Sequence, residues 1–337
     1  MIATLPVAPV PRRVLVVGAT GTIGRATVRA LVRRGHEVVC FVRPSPASPR
    51  RGPDFLPAQA TVRTGDLGDP ASVARDGFGA VAGERFDAVV SCLASRTGAP
   101  EDAWAVDYRA HAHVLAAARR AGVRHFVLLS AICVQKPRLA FQHAKLAFER
   151  ELAASGLRYS VVRPTAFFKS LSGQVARVQG GKPFLVFGDG TLTACKPIAD
   201  DDCAEYLVGC LDDPARWDRV LPVGGPGPAV TPRQQGELLF ALTGRAPRFT
   251  HVPVRLLDGV AGALGALARV APPLGAKAEL ARIGRYYATE SMLVWDARAG
   301  RYDADATPSF GRSTLAEHYR RLLAGGASTD LGAHAVF

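Results

Sequence analysis

Two short stretches carry residue types at spacings that can do chemistry. The first is Gly18-Ala19-Thr20-Gly21-Thr22-Ile23-Gly24, followed by Arg25. Gly18 permits a tight turn, Gly21 lets the backbone come close to a pyrophosphate, and Gly24 lets a helix pack closely on the preceding strand. An anion held there lies over a helix N-terminus, where free N–H groups and the helix dipole favour negative charge. The second stretch is Phe141-Gln142-His143-Ala144-Lys145. Residues four apart on a helix share a face, so Lys145 and Phe141 point into one cleft, where Phe141 has no exchangeable proton and cannot act as a general acid.

The glycine pattern gains weight from the elements around it. Residues 13–17 read as a strand, the pattern through Arg34 as a helix, and 38–42 as a second strand, which together make a βαβ unit. Further strands are predicted at 60–63, 86–91, 125–130 and 159–163, with helices at 104–121 and 139–155. Alternation of this kind predicts an α/β fold, a Rossmann-type doubly wound parallel sheet. After Pro164 the alternation breaks into shorter elements, read as a smaller C-terminal α+β substrate lobe. The expected division is 12–165 for an NADP-binding domain, 166–324 for the lobe, with some elements returning to the first domain, and 325–337 for a tail. An apolar helix at 254–270 reads as core packing, as the wall of a flat apolar ligand, or as a membrane-facing surface.

The second strand ends Phe41-Val42-Arg43. A carboxylate at that end would hold a ribose 2′-hydroxyl; here there is none, and the Arg43 guanidinium suits a 2′-phosphate, with Arg25 as a second cation. NADPH is the expected cofactor.

Composition narrows the partners. The 337 residues are 48% hydrophobic and 21% charged, with a net charge of +13, which fits a folded protein attracted to anionic ligands. The arginines are scattered, not gathered in a stripe, which argues against nucleic acid. Six cysteines without a CxxC pair predict reduced thiols in a cytoplasmic setting and no metal or iron–sulfur site. No uncharged apolar stretch reaches the length of a membrane span, which leaves peripheral association with a membrane open.

The Gly18–Gly24 spacing resembles that of short-chain dehydrogenases of the extended or atypical kind. That resemblance implies Asp66 and Leu67 near the adenine, and Cys92, Leu93 and Ala94 beside the cofactor after the fourth strand. It further implies Ser130, Pro164 and Thr165 around the nicotinamide, and Lys145 on the nicotinamide ribose. Such proteins usually carry a tyrosine where this chain has Phe141. Its absence points away from ketone and alcohol chemistry, which needs a donor near the forming alkoxide, and towards a conjugated carbon–carbon double bond, whose charge a π-system can spread.

More specific blocks follow: Leu129-Ser130-Ala131-Ile132-Cys133-Val134-Gln135-Lys136-Pro137, Val162-Arg163-Pro164-Thr165-Ala166-Phe167-Phe168-Lys169, Ala194-Cys195-Lys196-Pro197-Ile198 and Arg285-Tyr286-Tyr287-Ala288-Thr289-Glu290-Ser291-Met292. Together they resemble the divinyl (proto)chlorophyllide 8-vinyl reductases of chlorophyll and bacteriochlorophyll synthesis, over residues 13–320. The resemblance implies a magnesium tetrapyrrole substrate, hydride transfer to the outer vinyl carbon and protonation of the inner one. Cys133, Phe168, Lys169, Arg285, Tyr286 and Tyr287 are the expected substrate contacts. Tyr286, Tyr287, Cys133, Lys169 and solvent are alternative proton sources, and Lys169, Lys196 or Arg285 alternative partners for a propionate. A reductase of another conjugated alkene and a non-catalytic NADPH-binding sensor or assembly factor are the rival readings. Plant relatives carry a plastid-targeting extension that this sequence lacks, so the expectation is a bacterial cytoplasmic enzyme.

Overall fold

A computed structural model describes residues 10–44, 55–267 and 274–325. Strands β1 (Arg13–Val17), β2 (Glu37–Val42), β3 (Thr61–Thr64), β4 (Ala88–Ser91), β5 (His125–Leu129) and β6 (Arg158–Pro164) pair in parallel. Strand β7 (Phe184–Phe187) leaves this sheet, and β8 (Arg219–Val223) returns to its edge, giving the order β3-β2-β1-β4-β5-β6-β8. The chain runs outward from β1 to β3, then crosses back to β4. The crevice beyond the C-terminal ends of β1 and β4 is therefore the topological switch point where such sheets bind ligands.

Both faces of the sheet are covered, so its central strands are apolar throughout. Val14 and Val16 pack on one side with Ala26 and Leu31 of the Thr22–Arg33 helix and with Ala204, Leu207 and Val208 of the Asp200–Gly209 helix. Leu15 and Val17 face the other side, against Val114 of the His111–Arg120 helix and Phe148 and Leu152 of the Ala140–Ala153 helix. Chain beyond residue 165 thus completes the nucleotide layer through β8 and the Asp200–Gly209 helix. What remains forms a second core, with Phe184 of β7, Phe240, Tyr319 and Phe168 packed together. Strand β7 pairs there with β9 (Phe249–Val252).

The region predicted as one helix over 104–121 is two segments, a π-helix at Trp104–Ala110 and the His111–Arg120 α-helix, entered from an α turn at Pro100–Ala103. A π turn takes more residues per revolution and re-aims side chains, often at functional sites. Here Asp107 is turned inward and is 1% exposed. The apolar helix is Val254–Leu267, with Leu256, Val260 and Leu267 exposed. Residues 268–270 of its predicted span, and the tail from 326 onward, lie outside the described residues. Among the described residues no helix is long and apolar enough to cross a membrane.

Candidate active site

The first turn is built by exclusion of side chains. Gly18 has φ +77°, and a Cβ there would lie 2.5 Å from the Cys92 carbonyl carbon, so the ends of β1 and β4 abut. A Cβ on Gly24 would lie 2.0 Å from the Gly18 carbonyl oxygen, whereas one on Gly21 would meet only that oxygen, at 3.5 Å. Gly21 therefore faces open space. It is also the N-cap of the Thr22–Arg33 helix and supplies no side-chain cap, which leaves donors at the helix start for a phosphate. This cradle fits a dinucleotide.

The cations stand around it. Arg43 is exposed at the end of β2, with no ion-pair partner among the described residues, and the Arg25 guanidinium lies 4.6 Å from the Phe55 ring. Lys169, expected on the substrate, instead donates to Thr22 Oγ1 at 3.3 Å. That places its ammonium at the phosphate end of the crevice. Thr20 is exposed on the turn, while Ile23 is buried in the core. Asp66 Oδ1 accepts from the Gly68 N–H at 2.8 Å, closing the turn after β3, and Leu67 is buried with its carbonyl 3.0 Å from His113 Nδ1. Cys92 is buried 3.6 Å from Thr27 Oγ1, and burial pushes its thiol up to about 12, so it packs and does not react. Leu93 is half-buried and Ala94 exposed at the rim.

Lys145 lies deeper, 8% exposed, with Nζ 2.9 Å from Asp107 Oδ1. The second Asp107 oxygen is buried without a partner. Ser130 donates to Glu149 Oε1, and Arg163 Nε donates to the same oxygen at 3.1 Å. Ser130 is thereby fixed at the end of β5 by an ion pair beneath it. Thr165 Oγ1 donates to the Lys196 carbonyl and its N–H to Val223 at 3.0 Å, so Pro164 and Thr165 anchor the chain where β6 ends.

Below the crevice His111 Nε2 lies 2.8 Å from Ser91 Oγ. Burial lowers the His111 imidazole to about 4, with the Lys145 charge adding to the shift, and burial likewise lowers His125 to about 4, with Arg158 adding. Both stay neutral in the fold while the unfolded chain takes up protons below pH 6.5. Stability is therefore intact above pH 6.5 and falls as the pH drops towards 4. Asp200, raised by burial to about 6, works in the opposite direction between about pH 4 and 6 and offsets part of this. Two histidines outweigh one carboxyl, so the thermal midpoint is expected to drop by several degrees between pH 7 and 5; a midpoint that rises or stays flat would refute neutral imidazoles.

Three further expected substrate contacts have partners within the protein. Phe168 is 3% exposed in the second core, its ring 5.3 Å from that of His318. Arg285 pairs with Asp258 on the neighbouring helix. The Tyr286 hydroxyl faces the carbonyls of Cys133 at 2.8 Å and Lys136 at 3.0 Å, which fixes it as a structural clasp. Lys196 donates to the Thr307 carbonyl at 2.9 Å, away from the turn. Cys133 and Tyr287 remain together, Tyr287 Oη 3.9 Å from Cys133 Sγ. Sequence reading missed Asp107 and Glu149, although a carboxylate on the sheet-facing stripe of a helix signals a buried partner. All six cysteines are buried and free, and no group of metal-ligating side chains occurs among the described residues.

This arrangement has close counterparts. A sequence model described as NAD(P)H-binding matches residues 18–214. The divinyl chlorophyllide a 8-vinyl-reductase of rice (Oryza sativa subsp. indica), a chloroplastic protein, is 50% identical over 98% of this chain and 83% of its own length. Its maize (Zea mays) counterpart is 50% identical over 96% of this chain and 82% of its own. An NADPH-dependent quinone oxidoreductase of Escherichia coli, solved with NADPH, superposes with a TM-score of 0.67 over 92% of this chain and 99% of its own at 20% identity, a likeness of fold. The chain belongs to the NAD(P)H-binding family and, within it, to the divinyl chlorophyllide a 8-vinyl-reductases.

Proposed function

We propose that the protein reduces the 8-vinyl group of a divinyl chlorophyllide to an ethyl group with NADPH, as an oxidoreductase of chlorophyll or bacteriochlorophyll synthesis. The observation that carries this reading is the 50% identity to named 8-vinyl reductases along nearly the whole chain. The site agrees with it. NADPH supplies a hydride when bound, and the chemistry left to the protein is alignment. The glycine turn and the start of the Thr22–Arg33 helix hold the pyrophosphate, with Lys169 at its flank. Arg43 and Arg25 meet the 2′-phosphate, Asp66 and Leu67 border the adenine, and Lys145 holds the nicotinamide ribose beside Ser130, Pro164 and Thr165. With Phe141 in place of a tyrosine, the position expected to protonate an alkoxide is blank, as suits a π-conjugated vinyl group.

The test is direct. Purified protein, NADPH and divinyl chlorophyllide should give the shifted Soret band of the ethyl product, with kcat/KM for NADPH at least about tenfold above that for NADH, the scale of one well-placed phosphate contact. A flat spectrum from folded, NADPH-bound protein would defeat the enzymatic reading, and an NADH preference would defeat the role given to Arg43.

A further inference from the structure

Reduction of a vinyl group needs a proton as well as a hydride, and Phe141 cannot provide it. The fold brings a different hydroxyl to the same place. A Cβ built on Gly98 would lie 2.8 Å from Ile283 Cδ1 and 3.6 Å from Phe141 Cδ1, so the Leu274–Thr289 helix passes directly beside the first turn of the Ala140–Ala153 helix. Tyr287 is four residues beyond Ile283, one turn along the same stripe. Its Oη reaches to 3.9 Å from Cys133 Sγ, on the turn after β5. The same sulfur lies within the electrostatic reach of the Lys145 ammonium. A phenol, a thiol and the lysine therefore gather at the end of β5.

The proton of Tyr287 is available in a way that those of its neighbours are not. Tyr286 is clasped by two backbone carbonyls, Tyr302 donates to Glu290 Oε2 at 2.5 Å, and Tyr319 donates to the Leu171 carbonyl at 2.8 Å. Against these oxygen acceptors, Tyr287 has a thiol sulfur, a weak one. It is also 37% exposed, whereas Tyr286 is 3% exposed, so part of its ring is open while its hydroxyl rests against the buried Cys133 thiol.

We propose that Tyr287 is the general acid, delivering its phenolic proton to the inner vinyl carbon from the Leu274–Thr289 helix in place of the tyrosine that Phe141 replaces. This rests on the vinyl-reductase reading above. The hydride supplied by NADPH forms a C–H bond at the outer vinyl carbon, and the π pair moves to the inner carbon and the ring conjugated with it. The O–H bond of Tyr287 then breaks as the second C–H bond forms. Water then returns a proton to the phenolate. One NADPH and one proton are consumed for each ethyl group made.

Tyr287→Phe keeps the ring and removes the acid. Its kcat is expected to fall about 100-fold or more, the usual worth of a positioned acid, with the Kd for NADPH within twofold of wild type. A second readout separates acid from scaffold. In D2O the wild type should place deuterium in one configuration at the inner carbon, now a methylene, whereas residual turnover by Tyr287→Phe, protonated by solvent, should give a mixture. A kcat within threefold of wild type, or a label still of single configuration, would overturn the assignment. Wild-type protein that binds NADPH but makes no ethyl product overturns the function itself and the acid with it, a result distinguishable from an active wild type with an equally active Tyr287→Phe.

Discussion

Gly24→Ala is expected to abolish measurable NADPH binding, with the Kd raised by at least about 100-fold. The new methyl group would lie 2.0 Å from the Gly18 carbonyl oxygen, 2.8 Å from its carbon and 3.0 Å from the Ala19 Cα, all of them backbone atoms. No side chain can rotate away to make room. The Thr22–Arg33 helix must back off from β1, and the donors at its start leave the position that a pyrophosphate requires. Gly21→Ala is the informative partner. Its methyl meets only the Gly18 oxygen, at 3.5 Å, so the protein without cofactor should melt as wild type does while NADPH binding still weakens. Titration of NADPH fluorescence, with melting curves of each variant, tests both. If Gly24→Ala binds NADPH within threefold of wild type, the turn is not where the cofactor lies.

The parts of the molecule that the sequence announces are those fixed by neighbours along the chain. β1, the glycine turn and the Thr22–Arg33 helix are written consecutively, and the predicted strand at 13–17 coincides with Arg13–Val17. What stayed hidden depends on distant chain. β8 contains Pro222 and runs into Gly224-Gly225, the composition of a turn, yet it forms a strand because it lies at the sheet edge, where a missing N–H costs little. Lys169, expected on the substrate, sits on the short turn after β6 and donates to Thr22 Oγ1 at the start of the Thr22–Arg33 helix, a closeness of residues 147 apart in sequence. Tyr286 and Tyr287 are adjacent in sequence and point about 100° apart on the helix; only the packing tells which one is clasped by backbone carbonyls and which is partly exposed. Asp107 escaped notice because a π turn, not the regular helix expected, rotates it towards Lys145.

That last pair makes Lys145 the most demanding position to test. Lys145→Ala is expected to lower kcat by 100-fold or more, since the ammonium is proposed to hold the nicotinamide ribose. It also strips the cation from Asp107, which is 1% exposed and already has one oxygen without a partner. Breaking a buried ion pair from one side costs about 3–5 kcal/mol, so the single variant should melt well below wild type, and a loss of turnover alone would leave its cause open. The double variant Lys145→Ala with Asp107→Asn removes the stranded charge and should recover much of the melting temperature. If Lys145 acts on the cofactor, turnover stays at least 100-fold down in the double variant even though the fold has recovered. If the lysine serves only to neutralise Asp107, stability and turnover return together, because the coupling between the two sites then accounts for the whole effect. That joint recovery would remove Lys145 from the mechanism.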